Sequence, residues 1–383
     1  MLNAADFSLA DFREQINTMK GACIMSSQVT PWPYKRYVVG PNAEGKSCVL
    51  EDKAANVVEQ PGHMHRADLW HTAEMPADNT ISKDRSMDSI AREPVDHGTL
   101  FRGLKFWPED PDKQKAIETT QKTHKMLKQK YMPTDEDLER HPTMHRTDTI
   151  DYITCVDGEI WLMTDLDEFL MKAGDTVIIT GLNHAWSNRS SGPALLSVCM
   201  VQADPLNLDN LNPKVSDILR CDENGQKWDY KRYVVRPNPK GKSYTVSDKI
   251  TNIVEEDGNT RAILWSTVEI PVDNNIPGDR ALGTKNHVPQ PNGSVSHSLK
   301  LWPDASDTGK TLDRTDILDC CVCIEGEVWL MTETGEVLLQ KGDSAVIRGV
   351  KHAWSNRSEA PCLLNCFSIN ARPLPCANST TNC

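Results

Sequence analysis

The sequence predicts an all-β protein in which one antiparallel sandwich or barrel occurs twice in tandem. Long segments recur in the same order in both halves of the 383-residue chain, for example YKRYVVGPNAEGKS from Tyr34 and YKRYVVRPNPKGKS from Tyr230. The segments between turns are short and rich in β-branched or alternating apolar residues, and Gly, Asp and Asn separate them. Short strands with regularly spaced turns are typical of sandwiches and barrels.

The repeat also predicts the domain boundaries. GDTVIITGLNHAWSNRS from Gly174 matches GDSAVIRGVKHAWSNRS from Gly342, and a stretch rich in Asn, Asp and Pro separates the two halves. The expected units are an N-terminal helical arm, a first barrel, a connector, a second barrel and a tail, at residues 1–30, 31–203, 204–229, 230–372 and 373–383.

Short helices are expected at two places. In the N-terminal arm, Ser8 is an N-cap candidate before an apolar stripe with helical spacing. The first half also carries an insertion at about residues 110–140 that the second half lacks. Its stripe recurs at steps of three and four and consists of Ile117, Thr120, His124, Leu127 and Tyr131. We expect this helix to pack on the barrel, and a lid over the first pocket is the alternative.

Composition and charge exclude several functions. Hydrophobic residues make up 38% of the chain and charged residues 25%, which is typical of a globular protein. The net charge of −12 argues against a nucleic-acid partner, and no apolar run is long enough to span a membrane. The chain begins without the features of a secretory signal. We therefore expect a cytoplasmic protein with a small-molecule substrate, and a homodimer remains open.

The candidate site residues lie in a segment that occurs twice. HRTDTIDYITCVDGEIWLM from His145 matches DRTDILDCCVCIEGEVWLM from Asp313. Residues two apart on a strand face the same side, so His145 and Asp151 share a face. His184 follows a Gly-Asp turn and is placed to approach from a neighbouring strand. Two imidazoles and one carboxylate can bind a divalent metal and leave positions for oxygen, water or substrate.

These segments resemble the two sequence motifs of the cupin superfamily. The first motif contains two histidines, a glutamate and a glycine, and the chain has at these positions His145, Thr147, Asp151 and Gly158. The second motif matches Gly174, Gly181, His184 and Asn188. The chain therefore resembles a bicupin, similar to small cupin-domain oxidoreductases of natural-product pathways. The resemblance implies two double-stranded β-helix, or jelly-roll, barrels in tandem.

The resemblance further implies a metal-dependent enzyme. The metal would be held by His145, Asp151 and His184, with Fe(II) as first choice and Zn, Mn or Ni as alternatives. We expect an oxidoreductase or dioxygenase acting on a small oxygenated or carboxylated substrate in specialised metabolism. Two alternatives remain open. One is a non-redox lyase or isomerase, such as a decarboxylase, dehydratase or cyclase, with or without metal. The other is a non-catalytic small-molecule-binding bicupin.

The remaining candidates are catalytic or supporting groups. The second half retains Asp313, Asp319 and His352, which can form an acid–base group or be remnants in a barrel that supports the first, and we expect no metal there. Arg102, in GTLFRGLKFW, is a candidate for holding a substrate carboxylate with two hydrogen bonds. The alternative for Arg102 is a surface or supporting charge.

Overall fold

A computed structural model describes the chain from Trp32 onward as part of one compact unit. The described residues are 31–53, 56–60, 64–88, 91–214, 226–256, 258–282, 284, 287–304 and 310–375. The predicted N-terminal helical arm, the middle of the connector and the end of the tail lie outside these ranges. Within them, no helix has the length and apolar character needed to cross a membrane.

The first half of the chain is built from short strands, as its alternating segments predict. These strands are β1 Arg36–Pro41, β2 Ser47–Glu51, β3 Asn56–Gln60, β4 Met64–Thr72, β5 Thr99–Phe106, β6 Thr149–Asp157, β7 Glu159–Met163, β8 Glu168–Lys172, β9 Thr176–Thr180, β10 Ala185–Ser187 and β11 Ala194–Gln202. A 3₁₀ turn covers Arg85–Met87.

The insertion between β5 and β6 forms two helices, α1 Lys113–Met126 and α2 Asp135–Arg140. The Asp112 side chain accepts a hydrogen bond from the Lys115 backbone N–H and so caps α1. Thr134 and Asp137 form a reciprocal capping box at the start of α2. Both helices therefore begin at residues that satisfy their first backbone donors.

The second half repeats the strands and lacks the two helices among its described residues. Its strands are β12 Gln226–Pro237, β13 Ser243–Glu256, β14 Asn259–Thr267, β15 Ser294–Leu301, β16 Ile317–Glu325, β17 Glu327–Thr332, β18 Gly335–Gln340, β19 Ser344–Arg348, β20 Ala353–Ser355 and β21 Cys362–Asn370.

Each barrel consists of its own small sheet and a part of one large sheet that the two barrels share. The strand order of this large sheet is β2-β1-β19-β16-β21-β15-β14-β13-β12-β9-β6-β11-β5-β4-β3. The small sheets are β10-β7-β8 in the first barrel and β18-β17-β20 in the second. In the first barrel, Leu162 and Met171 from the small sheet pack with Ile153, Val177 and Leu196 from the large one. The predicted fold, all-β with two jelly-roll barrels in tandem, is confirmed.

Strand pairing crosses between the two sequence halves. Strand β1 pairs in parallel with β19, and β12 pairs in parallel with β9. Each barrel therefore includes a strand from the other repeat. A core shared by both halves lies between the barrels, where the rings of Tyr152 and Phe367 are 5.3 Å apart. The domain boundaries that we drew from the sequence repeat remain a prediction. The hydrophobic core contains residues from both repeats and so continues across these boundaries.

The glycines of the repeated Gly-Asp turns are required by this strand exchange. Gly342 has a φ of +90°, and a Cβ there would lie 2.2 Å from Cδ1 of Tyr34. Gly174 has a φ of +91°, and a Cβ there would lie 2.1 Å from the same atom of Tyr230. Only glycine combines this backbone conformation with so close an approach. The exchanged segment thus explains why the turn glycine recurs.

Candidate active site

His145 and His184 face each other across a two-residue β-bridge. Each backbone N–H donates to the carbonyl oxygen of the other residue, at 3.0 and 2.9 Å, and the ring centroids are 4.3 Å apart. His145 Nδ1 donates to the carbonyl oxygen of Thr143 at 2.8 Å, and His184 Nδ1 to that of Leu182 at 2.9 Å. Because a carbonyl oxygen only accepts, both Nδ1 atoms carry the proton and both Nε2 atoms offer a lone pair.

Both imidazoles are neutral near pH 7. Burial lowers the pKa of His145 well below its usual range, and the neighbouring His184 and Arg92 lower it further. Burial lowers the pKa of His184 to about 4, although its hydrogen bond with Leu182 acts in the opposite direction. A neutral imidazole with a free Nε2 can serve as a base or as a metal ligand.

Asp151 lies buried in β6 and titrates near neutral pH. Thr149 Oγ1 donates a hydrogen bond to Asp151 Oδ1 at 2.5 Å. Burial and, to a smaller extent, the charge of Glu93 raise the pKa of this carboxyl group to about 7, while the Thr149 hydrogen bond and the charges of Arg102 and Arg92 act to lower it. The charge of Asp151 therefore changes beside two arginines in the physiological pH range.

The side chains predicted to bind a metal do not form a three-ligand group. The structure brings His145 and His184 together, whereas Asp151 is held by Thr149 and neighbours arginines. Across the described ranges, no group of three or more His, Cys, Asp or Glu side chains is arranged to hold a metal ion. A guanidinium next to the two imidazoles also opposes the entry of a second cation. In this arrangement, His145, Asp151 and His184 do not fit the predicted metal. That these three residues bind a metal is a prediction that the structure does not support.

The guanidinium of Arg102 is used within the protein itself. Its Nη1 and Nη2 donate to the carbonyl oxygens of Arg92 and Ala91, both at 3.1 Å. Its Nε lies 3.0 Å from Oδ1 of Asp68, which also lies 3.4 Å from Arg66 through its other oxygen. The two-pronged donor that we predicted for a substrate carboxylate therefore anchors the loop before β5. These hydrogen bonds fix the backbone at Ala91 and Arg92.

A small cavity, here called the inner cavity, lies among these side chains in the first barrel. Its volume is about 80 Å³, roughly the space of two or three water molecules. Asp151 and His184 lie outside its lining. The polar side chains that line it include Arg66, Arg92, Arg102, Thr143, His145 and, from the insertion, Thr120, Thr123 and His124.

The charge of Arg92 acts on both His145, which lines the inner cavity, and Asp151, which lies outside its lining. The Nε of Arg92 is sealed from solvent and has no hydrogen-bond partner, and no carboxylate of the described chain forms an ion pair with its guanidinium. Burial, together with the positive charges of Arg102 and Arg66, lowers the pKa of Arg92 to about 9, and the charges of Glu93 and Asp151 act in the opposite direction. The same guanidinium lowers the pKa of His145 and interacts with Asp151.

His124 on α1 supplies a second imidazole to the inner cavity. The side chain is 1% exposed, and its ring centroid lies 6.2 Å from that of His145. Its Nδ1 is buried and finds no hydrogen-bond partner in the described structure. Burial and the charge of Arg92 lower its pKa to about 3. The insertion helix packs on the barrel as predicted, and in doing so it completes the cavity wall.

Arg92 and His124 were not assigned to the site from the sequence. Each had a signal. His124 is a titratable residue within the otherwise narrow stripe of the insertion, and the second half has no counterpart to it. Arg92 stands six residues before Gly98, and the matching position of the second half, six before Gly293, is His287. A difference in charge between repeats marks a position where the two pockets differ.

The three candidates of the second barrel are divided between its rim and its interior. Asp313 and His352 form the same two-residue bridge as their counterparts, but Asp313 is exposed and His352 is half-buried. Asp319 is buried, and its Oδ1 accepts a hydrogen bond from Ser368 Oγ at 2.5 Å. Their arrangement does not repeat the inner cavity of the first barrel.

The interior of the second barrel contains a directed chain of hydrogen bonds. Arg261 Nη1 donates to His297 Nδ1 at 2.9 Å, so His297 Nε2 carries the proton and donates to Ser368 Oγ at 3.1 Å. Ser368 in turn donates to Asp319. His297 occupies the position of Arg102 in the repeat. In the second barrel, the counterparts of Arg66 and Arg102 are therefore hydrogen-bonded to each other.

Comparison with known proteins shows similarity to a biosynthesis-cluster protein and to a cupin-domain-containing oxidoreductase. The chain is 40% identical over 119 residues to the phomopsin biosynthesis cluster protein C' of Diaporthe leptostromiformis, covering 29% of this chain and 61% of that protein. It is 30% identical over 131 residues to the cupin-domain-containing oxidoreductase virC of Hypocrea virens, covering 33% of this chain and 66% of that protein. The chain spans less than two thirds of the length of either relative.

Among solved structures, the oxalate decarboxylase of Lactobacillus farciminis in complex with formate aligns over 83% of this chain and 85% of its own. The TM-score is 0.38 and the identity is 11%. No family model matches the chain.

Proposed function

We propose that this tandem cupin-fold protein is an enzyme that binds a small organic acid in its first barrel and transfers a proton on it. The observation that carries the proposal is Arg92, a cation in the inner cavity that no carboxylate of the described chain pairs with. It lies beside His145, a neutral imidazole with an available Nε2. The relation to biosynthesis-cluster and oxidoreductase proteins supports an enzyme.

The charge balance of the inner cavity favours an anion. Arg66, Arg92 and Arg102 line it, and Asp68 neighbours only the first and last of these. The charges of Glu93 and Asp151 act on Arg92 without forming an ion pair with it, so its charge is only partly compensated. Burying such a cation is costly, and the cost is relieved when an oppositely charged ligand binds. A carboxylate matches a guanidinium in shape and can accept two parallel hydrogen bonds from it. Arg92 is therefore the expected contact for the acid group of the substrate.

His145 and His124, the two imidazoles that line the inner cavity, supply the proton chemistry. A small oxo acid whose carboxylate is held at Arg92 would bring the C–H group next to its keto carbon toward His145 Nε2, which can accept the proton because the ring is neutral. The electron pair of the broken C–H bond then forms an enolate with its negative charge on the keto oxygen, where the neighbouring guanidinium of Arg92 stabilises it. His124, on the other side of the cavity, is placed to exchange a proton with the product. Isomerisation and elimination are the reaction classes that this arrangement serves.

A metal-dependent oxidoreductase or dioxygenase is the second candidate. It is supported by the name of the virC relative and by the two adjacent Nε2 lone pairs of His145 and His184. Fe(II) held there would supply redox chemistry with dioxygen. This candidate requires a third ligand that no group of the described side chains provides.

One experiment separates the two candidates. Chelator-treated protein and protein supplied with Fe(II) are each incubated with pyruvate in D₂O. NMR follows replacement of the methyl protons by deuterium, and an electrode follows dioxygen. Proton transfer predicts deuterium exchange in both samples without oxygen uptake. Oxygen uptake that depends on added Fe(II) supports the oxidoreductase instead. Absence of exchange with pyruvate and with a panel of small oxo acids contradicts the proposed proton transfer.

Acetate binding to the first barrel is expected to weaken as the pH rises through about 7. Below this pH Asp151 is protonated and neutral, and above it a carboxylate beside Arg92 and Arg102 offsets the positive field that attracts the ligand. Acetate itself stays ionised throughout. Calorimetric titrations on either side of neutrality should differ roughly tenfold, as expected for a coupling of about one pKa unit. Asp151→Asn should keep the tighter affinity at both pH values, and an unchanged pH dependence in this variant would contradict the assignment.

A further inference from the structure

We propose that the substrate is larger than the inner cavity and that an uncharged, flat apolar or aromatic part of it lies in a second cavity next to it. This inference rests on the proposed binding of an acid group at Arg92, and it adds the class of molecule to which that acid group belongs. The second cavity, here called the outer cavity, has a volume of about 610 Å³.

The two cavities share one wall. Phe106, Thr143 and Trp186 line both of them. The inner cavity, of about 80 Å³, holds little more than an acid group with a few attached atoms, whereas ligand sites usually have about 300–1,000 Å³. The outer cavity falls within that range. For a substrate with its carboxylate at Arg92, the proposal therefore places the remaining atoms in the outer cavity, with the ligand passing between the side chains that line both cavities.

The charged side chains in the wall of the outer cavity are already paired. His141 Nε2 lies 2.8 Å from Glu109, Lys115 lies 2.5 Å from Asp110, and Arg189 lies 2.8 Å from Glu168. Lys113 and Arg140 donate to backbone carbonyl oxygens. Three of these charges have ion-pair partners, and Lys113 and Arg140 are held by backbone carbonyl oxygens, so an uncharged occupant leaves all of these contacts in place. The occupant of the outer cavity is therefore expected to be uncharged.

The rest of the wall contains apolar side chains with flat rings as well as uncharged polar side chains, namely Thr119, Thr143, Ser187, Asn188 and Ser190. Phe106, Trp107, Met163 and Trp186 line the outer cavity together with Pro108, Pro111 and Pro142. The Lys105 ammonium lies 4.9 Å from the Trp107 ring. Aromatic and proline side chains present broad, rigid faces on which a planar ligand can stack at a small cost in entropy. The wall therefore favours an aromatic or otherwise flat apolar group.

Both cavities depend on the same insertion helix. Thr120, Thr123 and His124 on α1 line the inner cavity, and Ala116 and Thr119 on the same helix line the outer one. The second repeat has no counterpart of this insertion. One helix thus supplies walls to both chambers, which supports a single elongated ligand rather than two independent ones.

The test compares two carboxylic acids that differ only in an aromatic end. Calorimetry measures the affinity of the full chain for butanoate and for 4-phenylbutanoate. We expect 4-phenylbutanoate to bind at least tenfold more tightly. Ala116→Trp fills the outer cavity and should abolish this gain while leaving butanoate affinity unchanged. Glu118→Trp is the matched control, because Glu118 is exposed on the same helix and lines neither cavity.

The possible results lead to different conclusions. Equal affinity for the two acids in the unaltered protein, or an undiminished gain in Ala116→Trp, overturns the outer cavity as a substrate site while butanoate binding at Arg92 still stands. Failure of butanoate to bind, or butanoate binding that is unaffected by Arg92→Gln, overturns the acid site and this inference together. Loss of the gain in Glu118→Trp as well would assign the effect to the helix rather than to the cavity, and would also overturn it.

Discussion

Replacing Arg92 with glutamine is expected to weaken acetate binding to the first barrel by about 100-fold, which corresponds to about 2.8 kcal/mol. Glutamine removes both the charge and the forked donor, and truncating one partner of a buried charge pair costs about 2–5 kcal/mol. The positive charges of Arg66 and Arg102 remain, so some attraction for anions should survive. Calorimetric titration with acetate measures the change directly.

Two variants interpret this result. Arg92→Lys keeps the charge but loses the planar fork, so its affinity should fall between that of the unaltered protein and that of Arg92→Gln. Arg357→Gln removes an arginine that pairs with Glu336 at the surface of the second barrel and should leave acetate binding unchanged. If Arg92→Gln binds acetate as well as the unaltered protein, the anion site lies elsewhere and the proposed function loses its main support.

Replacing His145 with glutamine is expected to lower the rate of deuterium exchange into the substrate by about 10²–10⁴-fold, the usual contribution of a positioned acid–base group. Glutamine approximates the size of the imidazole but has no basic nitrogen. Since His145 lines the inner cavity with its Nε2 available, the loss should appear in kcat. The affinity for acetate should change little, because Arg92 makes the main contact with the acid group.

The repeat provides the control for this substitution. In the second barrel, His352 forms the β-bridge that corresponds to the one between His184 and His145. It is half-buried there, and its bridge partner Asp313 is exposed. His352→Gln should leave exchange unchanged. Similar losses in both variants would assign chemistry to both barrels and contradict the unequal roles proposed for them. A loss of acetate affinity equal to the loss of rate would assign His145 to binding instead.

Much of the fold could be read from the chain because it depends on local patterns that occur twice. The glycines of the repeated turns have positive φ angles, and alternation along β6 places Asp151 in the interior. The exchange of β1 and β12 between barrels was not predicted, because the same alternating pattern is satisfied by pairing within a repeat or across repeats. In the folded chain the exchange places Tyr34 against Gly342 and Tyr230 against Gly174.

The site could be predicted only in part for a related reason. The repeat located His145 and His184, which the bridge brings together. The partners of Asp151 and Arg102 were not predictable, since strand parity gives the face of a residue but not the side chains that meet it there. Asp151 neighbours arginines instead of joining the two imidazoles, and Arg102 binds backbone carbonyl groups instead of remaining open for a substrate.

The sequence by itself determined that one β-barrel occurs twice, where its turns lie and which half retains two imidazoles, because strand alternation and turn chemistry act over a few neighbouring residues. Only the tertiary structure decided that Arg92 and His124, from a loop and an inserted helix, enter the same cavity as His145. The loop has no periodic pattern, and the stripe of the inserted helix specifies its packed face but not the side chains that this face meets, so the positions of both follow from packing against the completed barrel. The charge of the cavity, and with it the proposed preference for an acid, therefore arises only in the folded chain.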